Sequence, residues 1–169
     1  MLASKKTTHY VFYAYLLLLT WGILFKFETN PAFIRFFAAP RSVNWMPFSE
    51  PLIVNGKIVV AEMLFNLIFF IPLGICLPLV KSKWSSWEIA GIGLLLSLFY
   101  ECLQYILAIG ATDMTDLILN TLGVCVGLLL YQLFRKVLKS QTRKWVNIIG
   151  MIVLGLAYLI LLLLIVIGV

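Results

Sequence analysis

Residues 58–80 read Ile58-Val-Val-Ala-Glu62-Met-Leu-Phe-Asn66-Leu-Ile-Phe-Phe-Ile-Pro72-Leu-Gly74-Ile-Cys76-Leu-Pro78-Leu-Val80, and only Glu62 among them is charged. A bilayer crossing takes about 20 apolar residues, so this run is long enough to cross. Inside hydrocarbon the backbone polar groups must bond within the segment, which makes it a helix. Four further runs share the pattern: Tyr10–Phe25, Trp87 to about Ile109, Asp116–Phe134 and Val146–Val169, the last with no charge at all. A barrel would need short alternating strands, and none are visible. The sequence therefore predicts an all-α, polytopic integral membrane bundle of about five transmembrane helices.

Composition agrees. Of 169 residues, 63% are hydrophobic and 12% charged, with mean hydropathy +1.05. A soluble domain carries about 25% charged residues. Disorder is excluded by the same numbers, and five crossings leave little chain for a soluble catalytic domain. Lys5 and Lys6 before the first run resemble a secretory start. Phe25-Lys26-Phe27-Glu28 offers no small-residue cleavage site, so the run is expected to be a retained anchor. Cys76, Cys102 and Cys125 all fall inside apolar runs without Cys-x-x-Cys spacing and are expected to be small packed residues.

Thirteen basic and seven acidic residues give a net charge of +6. In a soluble protein that would suggest nucleic acid; here it encodes topology, and no nucleic-acid partner is expected. Nine basic residues lie on one side: Lys5, Lys6, Lys81, Lys83 and the five between Arg135 and Lys144. Only Lys26, Arg35, Arg41 and Lys57 lie on the other. Basic residues gather on the cytoplasmic side, which predicts a cytoplasmic amino terminus and an extracytoplasmic carboxyl terminus. The connection from Lys26 to Lys57 holds Pro31, Pro40, Pro47 and Pro51, so it cannot be one regular helix. Its Phe33, Ile34, Phe36 and Phe37 surround Arg35. That cluster suits a piece lying in the outer headgroup layer or an ordinary solvated loop.

Ionisable residues within a span cost about 2.5–3.5 kcal/mol at its centre on insertion scales, so their placement is informative. Glu62 and Asn66 are spaced i, i+4; Ser97, Glu101 and Gln104 are i, i+4, i+7; Asp113, Asp116 and Asn120 are i, i+3, i+7. Each set shares one helical face. These faces are expected to turn towards each other and form an outward-opening polar pocket, because six of the seven acids fall on that side and only Glu88 does not. Its cation is expected to be Arg41 or Arg35, whose planar donors also suit a phosphate or carboxylate. The competing reading is hydrogen bonding between helices. Glu62-x3-Asn66 and Asp116-x3-Asn120 repeat one spacing, although two residues are too few to establish an internal repeat. Gly123 and Gly127 continue the Asn120 face and would let two helices approach closely. Pro72-Leu73-Gly74 would kink its helix.

Four segments in combination resemble one known family: Asn44-Trp-Met-Pro47-Phe48, Asn66-Leu-Ile-Phe-Phe-Ile-Pro72-Leu73-Gly74, Ser97-x3-Glu101-x2-Gln104, and Asp113-x2-Asp116-Leu-Ile-Leu-Asn120-x2-Gly123-x3-Gly127. Together they look like the VanZ-like family over about residues 9–134. On that reading residues 1–135 form a four-helix VanZ-like core, and 136–169 add a basic cytoplasmic loop with one more transmembrane helix. The resemblance implies a bacterial inner-membrane protein linked to resistance to glycopeptide antibiotics, notably teicoplanin. Family members commonly carry an arginine just before the first aspartate of the last motif, where this chain reads Gly110-Ala111-Thr112-Asp113. Arg41 or Arg35 must then substitute, or the activity differs.

The expected ligand site is Arg41, Asn44, Glu62, Asn66, Glu101, Gln104, Asp113, Asp116 and Asn120. The expected partners are membrane lipids, a lipid-linked cell-wall precursor or the glycopeptide itself. No catalytic residue, metal or cofactor is assigned. An enzyme acting on a lipid-linked phosphate is an alternative, but the chain lacks a His cluster, a nucleophile elbow and a Gly-rich phosphate loop. A small transporter or flippase is another, and five spans would call for a homodimer.

Overall fold

Ser4 starts the first helix by accepting the Thr7 N–H on its side chain, and α1 then runs Lys5–Phe25. It is followed by α2 (Val60–Val80), α3 (Ser86–Leu107), α4 (Met114–Leu138) and α5 (Thr142–Ile167). The computed structural model describes residues 2–26, 28–30, 34, 36–39, 41–49, 53–54, 57–58, 60–110 and 112–167. A capping box opens α3: Glu88 N–H donates to Ser85 Oγ, and Ser85 N–H donates to Glu88 Oε2. This satisfies two otherwise orphaned donors at a helix start.

Side-chain ties fix how the helices run. Tyr15 Oη donates to the Phe69 carbonyl at 2.7 Å and Lys26 pairs with Glu62, so α1 and α2 are antiparallel. Thr20 meets Tyr100 and Gln104 reaches the Ile23 carbonyl, so α1 and α3 are parallel. The α2–α4 pair is parallel and the closest. A Cβ at Gly123 would lie 2.2 Å from the Leu67 carbonyl oxygen, and one at Gly127 2.1 Å from that of Ile71. No side chain fits there, so backbone packs on backbone. Helix α2 continues through Pro72 and Pro78 without interruption.

The chain is more helical at its basic end than the apolar runs alone predict. Helix α4 continues past Phe134 to Leu138, and a three-residue 3-10 turn, Lys139–Gln141, joins it to α5. Arg135 and Lys136 sit in the last turn of α4, where cations offset the carbonyl end of the helix dipole. Among the described residues four helical stretches are long and apolar enough to cross a membrane, the last being the 54-residue stretch Met114–Ile167 that contains both α4 and α5. The two are distinct crossings, because α5 folds back along α1. Asn147 Nδ2 donates to the Leu2 carbonyl at 2.7 Å, and Tyr158 Oη donates to that of Ala14 at 2.8 Å.

The outward surface is apolar. Leu17, Phe99, Leu129, Ile160 and Leu163 are exposed side chains on α1, α3, α4 and α5. A belt of this kind is stable only in hydrocarbon, and the bundle is that of a membrane protein. Trp87 stands out at the basic end, where Lys81 lies over the Trp84 ring, as suits an interfacial belt. Cys76 is buried as expected, whereas Cys102 is exposed on the outside of α3.

At the opposite end residues 36–39 of the Lys26–Lys57 connection lie against the end of α3. Phe37 and Ala39 N–H groups donate to the Leu107 and Ala108 carbonyls. Two-residue strands β1 (Val43–Asn44) and β4 (Thr112–Asp113) pair in parallel, and β2 (Ile53–Val54) pairs antiparallel with β3 (Lys57–Ile58). Phe36, Phe37, Trp45 and Phe48 are exposed here. Arg35, Phe33 and Glu50 lie outside the described residues.

Candidate functional site

The three polar helical faces meet at the end of the bundle opposite the basic cluster. Glu62, Phe65, Asn66 and Phe69 recur at helical spacing along one face of α2. Together with Gly22, Ile23 and Lys26 of α1, Glu101 and Gln104 of α3, and Asp116 and Asn120 of α4, they surround a cavity of about 210 Å³. That is room for several waters at the ~30 Å³ each occupies in the liquid.

Several of these polar groups are held by neighbours. Glu101 is 2% exposed, and its Oε2 accepts the Asp113 N–H at 3.0 Å. Asn66 of α2 and Asp116 of α4 line the same cavity. Gln104 Nε2 donates to the Ile23 carbonyl and Asn120 Nδ2 to Ser97 Oγ, both at 2.9 Å. Ser97 is itself fully buried. Buried polar groups of this kind persist only when hydrogen-bonded. Among the described lining residues, the buried Oδ1 of Asn120, a residue 1% exposed, has no partner.

Of the nine residues that the sequence singles out, six line this cavity: Glu62, Asn66, Glu101, Gln104, Asp116 and Asn120. Asn44 and Asp113 do not line it; Asp113 is joined to it through its N–H to Glu101 and itself lines the second space described below. Asp113 caps α4 by accepting the Thr115 N–H at 2.7 Å, and Asn44 Nδ2 donates to Asp113 Oδ2 at 3.2 Å. The parallel pairing of β1 with β4 sets that contact.

Arg41 lies apart from these residues. It is exposed, does not line the cavity, and its Nη2 donates to the Ile106 carbonyl at 3.4 Å. The connection carries it over the end of α3 and away from the four-helix interior. Among the described residues the cation that lines the cavity is Lys26, whose Nζ lies 3.2 Å from Glu62 Oε2. Lys26 ends an apolar run, so from sequence it reads as the boundary of a span. The usable signal was its place at the same bundle end as Glu62. On the other side of Glu101 lies a second space of about 380 Å³, lined chiefly by apolar side chains including Trp45, Leu98, Tyr105 and Leu117.

Among the described residues no three acids, histidines or cysteines are close enough to hold a metal ion together. The arrangement is an acceptor-rich polar chamber in an apolar bundle, suited to binding a ligand rich in hydrogen-bond donors.

Comparison with known proteins accords with the order of the motifs. The VanZ/LLP1 family matches residues 12–135. Protein VanZ of Enterococcus faecium is 40% identical over 122 residues, covering 72% of this chain and 71% of that protein. No solved structure gives a significant match. The family match takes in α2, α3 and α4 whole up to residue 135, and with them every helix that brings a carboxylate to the cavity, so this chain belongs to the VanZ/LLP1 family.

Proposed function

We propose that this chain is a VanZ-like protein of the bacterial cell membrane that lowers susceptibility to glycopeptide antibiotics such as teicoplanin. Its polar cavity opens on the extracytoplasmic side and engages a lipid or a lipid-linked cell-wall precursor. The observation that carries this reading is the convergence of Glu62, Glu101 and Asp116 with Asn66, Gln104 and Asn120 on one chamber inside a lipid-facing bundle. Polar groups at membrane depth are costly and are retained where they act. The apolar space behind Glu101 supports a ligand that carries an acyl or prenyl chain.

The sidedness follows from charge. Nine basic residues flank the helix ends opposite the cavity, and such residues stay in the cytoplasm. The cavity mouth at Lys26 then faces the cell wall, where glycopeptides act.

The test is a susceptibility assay in a sensitive bacterium expressing the chain. Glu101→Gln and Asp116→Asn are expected to abolish protection against teicoplanin at unchanged membrane abundance. Protection retained in both variants overturns the proposal. In a variant lacking Cys76, Cys102 and Cys125, a membrane-impermeant thiol reagent is expected to label Lys26→Cys but not Lys83→Cys in intact cells. The reverse pattern overturns the sidedness.

A further inference from the structure

The charge of the cavity is unbalanced. Its lining holds three carboxylates, Glu62, Glu101 and Asp116, and one cation, Lys26. Lys26 is engaged with Glu62 at the exposed rim. Arg41 is turned away to the Ile106 carbonyl. Among the described lining residues, Glu101 and Asp116 therefore face the chamber without a cation of their own.

Hydrogen bonding is one-sided in the same sense. An ionised carboxylate only accepts, at about four lone-pair sites. Glu101 receives the Asp113 N–H, and Asp116 lines the chamber together with Asn66. The amides of Gln104 and Asn120 direct N–H donors to protein, at the Ile23 carbonyl and Ser97 Oγ. An independent observation points the same way. Asn120 lines the chamber, is 1% exposed, and its Oδ1 has no donor. A buried acceptor left unpaired is destabilising, so an occupant that brings donors gains most.

We infer that the chamber takes a protonated primary amine, the ammonium end of a lipid headgroup or of a lipid-linked precursor. Glu101 and Asp116 balance its charge and Asn120 Oδ1 accepts one of its N–H bonds. An ammonium has three donors and no acceptor, the complement of this lining. A phosphate placed at the same depth would meet two carboxylates of like charge. A divalent metal ion would need a tighter cluster of acids than the described residues provide. Lys26, exposed at the mouth, is placed to meet the phosphate of a zwitterionic headgroup whose amine lies deeper. This inference rests on the proposed engagement of a lipid-linked ligand and names its headgroup chemistry.

The test uses the purified full chain and four probes in native mass spectrometry: dihexanoyl phosphatidylethanolamine, its N-acetyl derivative, dihexanoyl phosphatidylglycerol and free ethanolamine. Phosphatidylethanolamine is expected to bind at least about tenfold more tightly than the N-acetyl derivative or phosphatidylglycerol. Glu101→Gln and Asp116→Asn should each weaken that binding by about tenfold, whereas Gly155→Ala on α5, which lines no part of the chamber and has open space for a Cβ, should leave it unchanged. Cooperative thermal unfolding of Glu101→Gln and Asp116→Asn in micelles separates loss of charge balance from loss of fold. Binding of ethanolamine in the same rank order assigns recognition to the ammonium alone; binding of only the lipid form adds a contribution from the tail. Both outcomes support the inference. Equal binding of the N-acetyl derivative, or preference for phosphatidylglycerol, overturns it and leaves lipid engagement standing. No binding of any probe also overturns it, and the susceptibility assay of Glu101→Gln, which uses none of these probes, then decides the broader reading separately.

Discussion

Glu101 and Asp113 are joined through the backbone: the Asp113 N–H donates to Glu101 Oε2 at 3.0 Å. One carboxylate thus lines the chamber and also fixes the residue that caps α4. Two substitutions separate these roles. Glu101→Gln keeps an oxygen for that N–H and loses only charge, so stability should fall by no more than about 1 kcal/mol. Glu101→Leu leaves the N–H without its acceptor and should cost about 1–3 kcal/mol. Thermal unfolding in detergent micelles measures both. Equal melting temperatures for the two variants would mean that the bond to Asp113 contributes nothing to the fold.

The α2–α4 contact makes a sharper demand. A Cβ at Gly127 or Gly123 would collide with the carbonyl of Ile71 or Leu67, and one at Gly74 with that of Val124. Backbone cannot yield as a flexible side chain can. Alanine at any of the three should cost about 1–3 kcal/mol by overpacking. Gly91 and Gly155 have nothing within 4 Å of an added Cβ. Alanine there should be neutral or stabilise the helix by up to about 1 kcal/mol. The two groups should separate cleanly in micelle melting temperatures, and a loss at Gly155→Ala as large as that at Gly127→Ala would contradict the packing argument.

Hydropathy and spacing made much of this arrangement legible. An apolar run must be a helix in hydrocarbon, and a carboxylate inside it must face something other than lipid. Glu62 with Asn66, and Glu101 with Gln104, therefore pointed to a common interior before any coordinates. The cation was not legible. Lys26 terminates its run and looks like a boundary residue, whereas arginines in the loop look like free donors. Deciding between them needs the path of the Lys26–Lys57 connection, which is set by contacts such as Phe37 N–H to the Leu107 carbonyl. No local pattern encodes a contact over 70 residues. The pairing of Val43 and Asn44 with Thr112 and Asp113 was hidden for the same reason. Helix α4 ran past Phe134 because hydropathy locates the edge of the membrane, while the helix ends where its own hydrogen bonding does.

Lys26 and Glu62 form the salt bridge at the chamber mouth, with side chains 66% and 62% exposed. Exposed pairs contribute about 0–1 kcal/mol. Lys26→Ala and Glu62→Ala should each leave thermal stability within about 1 kcal/mol of wild type. The double charge swap Lys26→Glu with Glu62→Lys should do the same. A melting temperature collapse in either single variant would show that the pair holds the top of α1 against α2, which its exposure argues against.

Helix α5 is attached to the bundle mainly along α1. Asn147 bonds the Leu2 carbonyl at 2.7 Å, Gly150 lies against Val11, and Tyr158 reaches the Ala14 carbonyl. None of its residues lines the chamber, whose walls come from α1 to α4 alone, and the family match ends at residue 135. The α2–α4 backbone contact and the Glu101–Asp113 bond lie wholly within that part. A chain ending after Lys139 should therefore still insert and retain its protection against teicoplanin. Its stability should fall, because the α1 face around Val11, which is buried in the full chain, would meet lipid instead. Asn147→Leu, which cuts the tie to Leu2 while keeping the helix, should produce a smaller loss of about 1–3 kcal/mol. If the truncated chain inserts at normal abundance but gives no protection, α5 is part of the functional unit, and the chamber does not act through α1 to α4 alone.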